Sequence, residues 1–247
     1  MNIVIIGANS AIAKAVAREY ITKNERVNFF LTGRDEKKLA LTATDLKARG
    51  AASVEAMAVD FSDNTHCHHL HDSVKAHFKH IDLLLMAHSL LGDQQACEQK
   101  PDQLMALYQV NTLSSLYLLT LFAHDFEQQK QGTIAFIASV AADRGRPSNY
   151  AYGSSKAAVV TFLQGLNARL KKVGVQVLTI KPGFVSTPMT QDFDRSGPLW
   201  VEPEVIAKAL IKAIDKKRNT LYAPWFWQPI MMIICAIPTK LFQQLKL

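Results

Sequence analysis

Cysteine is scarce in this 247-residue chain: Cys67, Cys97 and Cys235 are odd in number and far apart. They form no obvious disulfide framework and no CxxC zinc pattern, and they fit a reducing, cytoplasmic setting. The N-terminal run Met1-Asn2-Ile3-Val4-Ile5-Ile6 lacks a basic leader and a cleavage-site pattern, so it reads as a buried first strand. Internal repeats and low-complexity linkers are absent. The most apolar stretch, 222–238, is interrupted by Pro229 and falls short of the ~20 residues a spanning helix needs, so it is not expected to cross a bilayer.

The composition, 49% hydrophobic and 20% charged, suffices to bury one sizeable core. Short Val/Ile/Leu-rich runs at 3–6, 27–32, 54–59, 83–86, 132–138 and 175–180 read as strands. Between them, 11–23, 36–49, 65–78, 101–126 and 152–173 have helical length and spacing, and 203–217 follows the last strand. Strands this continuously apolar belong to a sheet covered on both faces. The alternation predicts an α/β, Rossmann-like, doubly wound parallel sheet over 1–220, a single domain with an apolar, basic-flanked appendix over 221–247.

The formal charge of +7 raises anionic partners: nucleic acid, phosphorylated cofactors or acidic lipid. From Asp215 onward, Lys216, Lys217, Arg218, Lys240 and Lys246 face one acid, so four of the seven net charges sit there. The cations are not interleaved with stacking aromatics outside that tail and no recognition motif is present, so nucleic acid is not an expected partner.

Tyr152 and Lys156 lie four residues apart in an expected helix, on one face and within side-chain reach. A phenol titrates near pH ~10; an adjacent ammonium stabilises the phenolate and would make Tyr152 a usable general acid or base. Ser139, thirteen residues earlier and just past a strand, could meet the same carbonyl oxygen and stabilise developing oxyanion charge. After the first strand, Gly7-Ala8-Asn9-Ser10-Ala11-Ile12-Ala13 opens a helix whose free amides and dipole favour phosphate.

Taken in order, that turn, Asn111 in Val110-Asn111-Thr112, Ser139, the Tyr152–Lys156 pair and Lys181-Pro182-Gly183 resemble the short-chain dehydrogenase/reductase family over about three quarters of the chain, from Gly7 to Thr187. The resemblance implies hydride transfer onto or off a substrate carbonyl, with Ser139, Tyr152, Lys156 and Asn111 as the catalytic set. Asn111 would support a water link to the lysine. It also implies a dinucleotide lying against Gly7, Asn9, Ser10, Ala11, Ile12, Asp60, Phe61, Ala87, Tyr152, Lys156, Pro182, Gly183, Val185 and Thr187. Arg34, in Leu31-Thr32-Gly33-Arg34, stands where NAD-preferring members carry an acidic residue, which points to the 2′-phosphate of NADP(H).

Departures from the family pattern are local. Ala11 and Ala13 replace usual glycines, Ile6 replaces threonine, and Met86-Ala87-His88-Ser89 stands for Asn-Asn-Ala-Gly. His88 could donate to cofactor or substrate, or pack with its nitrogens satisfied, and it stays outside the catalytic set. His66, Cys67, His68, His69 and His71 crowd one helix start and could not all face one ion, so no metal is expected.

The tail, with Ala87-His88-Ser89 and Leu91-Gly92-Asp93-Gln94, resembles a bacterial subgroup that includes a 2-keto reductase acting on a decaprenylphospho-linked pentose. A lipid-linked substrate would suit Trp225, Trp227 and nearby lysines at a membrane interface, placing the protein peripherally on the inner face of the cell membrane. A core-capping or dimer-contact helix is the competing reading. Helices 101–126 and 152–173 are candidate contacts of a dimer or tetramer. Competing functions are a 3-oxoacyl-thioester reductase and a non-catalytic NADP-binding sensor or scaffold.

Overall fold

The central strands are apolar runs whose alternate residues serve two different cores, which explains why they read as continuous rather than alternating. In the computed structural model, which describes residues 1–23 and 26–245, Ile3, Ile5, Phe29, Leu31, Leu83 and Leu85 face one layer. Val4, Ile6, Phe30, Leu84, Met86, Ile134 and Phe136 face the other. Asn24, Glu25, Leu247 and the tail cation Lys246 lie outside the described residues.

The strands are β1 (Asn2–Ile6), β2 (Asn28–Gly33), β3 (Ser53–Ala58), β4 (Leu83–Met86), β5 (Thr133–Ile137), β6 (Gln176–Pro182) and β7 (Thr220–Ala223). All pair in parallel, in the order β3-β2-β1-β4-β5-β6-β7. Helices α1 (Ala11–Lys23) and α2 (Glu36–Ala48) cover the first face through Val16, Leu39 and Leu46. Helix α3 (Asn64–His77) covers the second through Leu70 and Val74. The order reverses between β1 and β4, so their carboxyl ends splay into a crevice, the place where open α/β sheets bind ligands.

The expected helix over 101–126 is divided. After α4 (Gln94–Gln99), α5 (Pro101–Tyr108) runs into a five-residue π-helical turn, Gln109–Leu113, before α6 (Ser114–Gln129). Such a widened turn commonly marks a functional position, and this one carries Asn111. Helix α7 (Tyr150–Leu170) follows and packs Leu163 and Leu166 into the second core, while α8 (Pro203–Asp215) returns to the first through Ile206 and Leu210.

The chain then adds β7, which sequence patterning missed: Thr220, Leu221, Tyr222 and Ala223 pair with Thr179, Ile180, Lys181 and Pro182. The boundary expected between 220 and 221 therefore falls inside a strand of the sheet. Helices α9 (Trp227–Ala236) and α10 (Thr239–Phe242) close the described chain. At 10 residues, α9 is well below the ~20 required to span a bilayer.

Candidate active site

A cleft of about 630 Å³ opens at the carboxyl ends of the strands, lined from Gly7 at one end to Trp200 at the other. Among the expected site residues, Gly7, Asn9, Ser10, Ala11, Ile12, Arg34, Phe61, Ala87, Ser139, Tyr152, Lys156, Pro182, Gly183, Val185 and Thr187 all line it. Asp60 and Asn111 do not.

At the first end the turn is built from backbone. Gly7 and Ala8 both donate their N–H to Thr32 O, at 2.8 and 2.7 Å, and Ser10 N–H returns to Gly7 O at 3.0 Å. Gly7 has φ +88°, and a Cβ there would lie 2.3 Å from His88 N, so backbone conformation and the close pass of the β4 loop both require glycine. The two alanines that replace glycines behave differently. Ala13 is wholly buried in the first core, so only Ala11 presents its methyl group to the cleft.

Arg34 is exposed and has no ion pair among the described residues, because Asp35 is occupied by Lys38. Asn9 Oδ1 and Thr32 Oγ1 are buried without a partner. Asp60 turns away, accepting from Ser62 N–H at 2.9 Å and Ser62 Oγ–H at 2.8 Å, bonds that hold its carboxyl below the usual range. It acts as a local turn-former, while its neighbour Phe61 is buried and stacks on the His88 ring, centroids 4.5 Å apart.

His88 is buried. Its Nε2 lies 3.0 Å from Ser114 Oγ and 3.2 Å from Ser115 Oγ, and its Nδ1 has no partner. Burial, helped by the charge of Lys156, depresses its pKa to about 3, so the ring is neutral at working pH. Beside it, the loop that lacks the usual asparagine pair is held by Asn111 instead. The Asn111 Oδ1 accepts from Leu90 N–H at 2.8 Å, and its Nδ2 donates to Leu90 O at 2.8 Å and Ser155 Oγ at 3.1 Å. Both amide atoms are thus spent on the Leu90 backbone and α7.

Ser139, Tyr152 and Lys156 converge mid-cleft. Ser139 Oγ accepts from Ala141 N–H at 3.1 Å and, with Ser89, faces the Tyr152 phenol. Gly153 makes the approach possible, since a Cβ there would sit 2.7 Å from Ala141 O. Lys156 is 1% exposed, donates to Ile137 O at 3.2 Å and lies 5.9 Å from the Tyr152 ring centroid.

The protonation states run against the simple expectation of an acidified phenol. Burial pushes Tyr152 up to about 12, outweighing the Ser139 and Ser89 hydroxyls, and pushes Lys156 down to about 7. The phenol therefore stays protonated at neutral pH, and the amine beside it is poised between its two forms.

The far end is apolar and braced by the tail. Phe184 stacks on Trp200 at 5.1 Å, with Phe193 tilted against the same indole. Trp227 packs so closely under Gly183 that a Cβ there would lie 1.8 Å from Nε1, and with Val140 and Met231 it forms a small core of its own. Arg144 Nη1 donates to three carbonyls at the end of α9, Ile234 at 2.6, Cys235 at 3.1 and Ile237 at 2.7 Å, which caps that helix. Asp143 accepts from Lys181 Nζ at 2.5 Å and from the Tyr222 hydroxyl at 2.8 Å. Arg144, Asp143 and Ser139 share one loop, so the tail is tied directly to the mid-cleft cluster.

Sequence reasoning did not single out Ser89, Arg146, Asn149 or the lid of Phe184, Met189, Phe193 and Trp200, all of which line the cleft. Arg146 and Asn149 sit between Ser139 and Tyr152, and that placement was the available signal.

A parallel sheet of this order with a glycine turn at one end of a cleft and a Ser-Tyr-Lys cluster at its middle defines a dinucleotide-dependent class of oxidoreductase. A family profile described as short chain dehydrogenase matches residues 1–196, and the chain belongs to that family. An uncharacterized oxidoreductase from Mycobacterium tuberculosis is 30% identical over 243 residues, 98% of this chain and 96% of the relative. A short-chain dehydrogenase from Sphingobium yanoikuyae, in complex with NADPH, superposes with a TM-score of 0.81 at 22% identity, covering 96% of each chain. A family member from Burkholderia phymatum, in complex with NAD, gives a TM-score of 0.81 at 23% identity over 94% of this chain and 92% of that one.

Proposed function

We propose that the protein is an NADP(H)-dependent carbonyl reductase acting on the ketone/secondary-alcohol pair. The observation that carries this reading is the meeting of Ser139, Tyr152 and Lys156 in the cleft whose other end holds the Gly7 turn and Arg34. The residues present fit a dinucleotide. Asn9 Oδ1 is buried and unpartnered, and the first turn of α1 offers free amides. Arg34, with no acid of its own, suits the 2′-phosphate.

The cofactor supplies the hydride; the chain supplies placement and charge. Ser139 Oγ–H holds the carbonyl oxygen and stabilises charge developing there. Tyr152, protonated at neutral pH, gives its phenolic proton to that oxygen. A proton taken up from solvent restores the phenol, and Lys156, 5.9 Å from the Tyr152 ring centroid, favours the phenolate meanwhile when it carries its own proton. Asn111 holds the β4 loop and α7 in register, and Pro182, Gly183, Val185, Thr187 and Ala87 shape the wall against the nicotinamide.

The substrate is hydrophobic or lipid-linked on this reading, because Phe184, Met189, Phe193 and Trp200 form the far wall. The tail is two-faced: Trp227 and Met231 are buried, while Trp225, Met232 and Ile233 are 78%, 67% and 68% exposed. That outer face suits peripheral contact with the inner surface of the cell membrane by a cytoplasmic homo-oligomer. A 3-oxoacyl-thioester reductase would turn over a 3-oxoacyl thioester in preference to a simple hydrophobic ketone; a non-catalytic NADP-binding scaffold would be insensitive to Tyr152.

The test is a fluorescence titration with NADPH and NADH. Wild type should prefer NADPH, and Arg34→Ala should weaken NADPH by about tenfold or more while leaving NADH unchanged. Binding of neither nucleotide would refute the enzyme reading.

A further inference from the structure

Four cations line the cleft, Arg34, Lys38, Lys156 and Arg146, against one acid, Asp35. Three have an evident task. Lys38 pairs with Asp35 at 3.4 Å, Arg34 sits beside the nucleotide turn, and Lys156 serves Tyr152. Arg146 has none. It lies on the loop between Ser139 and Tyr152, away from β1 and α1, so the nucleotide phosphates do not account for it.

Arg146 is half-buried, and among the described residues its one hydrogen-bond contact runs from Nη2 to Met231 Sδ at 3.5 Å. Its Nε is buried with no partner, and it makes no ion pair among the described residues. The nearby carboxylate, Asp143, is already bonded to Lys181 and Tyr222. Burial lowers the guanidinium pKa below its ordinary value, outweighing the opposing influence of Cys235 and Asp143. A planar guanidinium fork in that state matches a carboxylate or phosphoryl group.

One neighbour agrees with an incoming polar molecule, as an acceptor for a hydroxyl beside the anion. Asn149, which lines the same cleft, has a buried Oδ1 without a partner. At the start of α7, directly after it, the Ala151 N–H is taken by Gln94 Oε1 at 3.0 Å, so recognition falls to the side chains. The far wall of the cleft is apolar, built from Phe184, Met189, Phe193 and Trp200.

We propose that Arg146 is an anion-recognising subsite, so that the substrate is a carbonyl compound carrying a carboxylate or phosphoryl group on an apolar body. The proposal rests on the reductase reading and names its substrate class.

Isothermal titration calorimetry of the full chain, with and without saturating NADPH, tests it using decanoate, decyl phosphate and decanamide as probes. One or both anions should bind about tenfold or more tightly than the amide, and the stronger anion identifies the group recognised. Arg146→Gln should abolish the preference, Arg146→Lys should keep part of it, and both variants should bind NADPH as wild type does. Equal binding of amide and anions, or a preference that survives Arg146→Gln, overturns the proposal. Failure of NADPH to bind refutes the reductase reading separately, since the anion preference is also read in the nucleotide-free protein.

Discussion

The two ends of the cleft are held by different means. The nucleotide end is secured by short-range backbone bonds: Gly7 and Ala8 on Thr32, and Ser10 on Gly7. The substrate end is secured by side chains that arrive from far along the chain, Arg144 reaching carbonyls some 90 residues on and Lys181 and Tyr222 closing on Asp143. A backbone-built site tolerates side-chain change around it, as Ala11 and Ala13 illustrate. A side-chain-built site is exact in its demands, which Gly183 under Trp227 makes plain.

Substitutions can separate these ends. Tyr152→Phe should have the largest effect: ketone reduction falling by about 10²–10⁴-fold with NADPH affinity retained, read by steady-state kinetics and fluorescence titration side by side. Simultaneous loss of binding would mean that the two ends are one cooperative unit.

Lys156→Met comes next, and it concerns stability. The folded pKa of about 7 lies below the ordinary 10.5, so between those values the unfolded chain holds a proton that the folded chain lacks. Stability should therefore rise with pH across that window, with the penalty fully present below it. In the nucleotide-free protein, Lys156→Met should gain about 2–4 kcal/mol in urea denaturation at pH 6, fading toward pH 10.5. A pH-independent gain would remove burial of the charge as the cause.

Gly183→Ala sharpens the contrast at the substrate end. Overpacking against Trp227 should cost about 1–3 kcal/mol, and Trp227→Ala in the same chain should recover part of it. Additive losses in that double-mutant cycle would show that the two residues do not bear on each other.

What could be read beforehand follows the same division. The doubly wound sheet was legible because its strands are apolar on both faces and its helices periodic, and the residues that meet in the cleft stand at short, ordered spacings. β7 was not legible: it is four residues long, with Thr220 exposed and Tyr222 half-buried, and only its pairing with β6 makes it a strand. Nor could spacing reveal that Asn111 spends its amide on Leu90, that Asp60 folds back onto Ser62, or that Arg144 caps a helix some 90 residues later. Those facts belong to tertiary contact, for which a linear pattern has no signal.

The brace also imposes an order of events during synthesis. Chains fold as they emerge, N-terminal parts first. The turn at Gly7 has its partners Thr32 and His88 early, although α1 waits for Ile206 and Leu210 of α8 to complete its core. The Ser139 loop cannot acquire its lasting partners until Tyr222, Trp227 and Ile237 have followed. An interrupted chain would thus have the bonds of the Gly7 turn within reach and its substrate end unfinished.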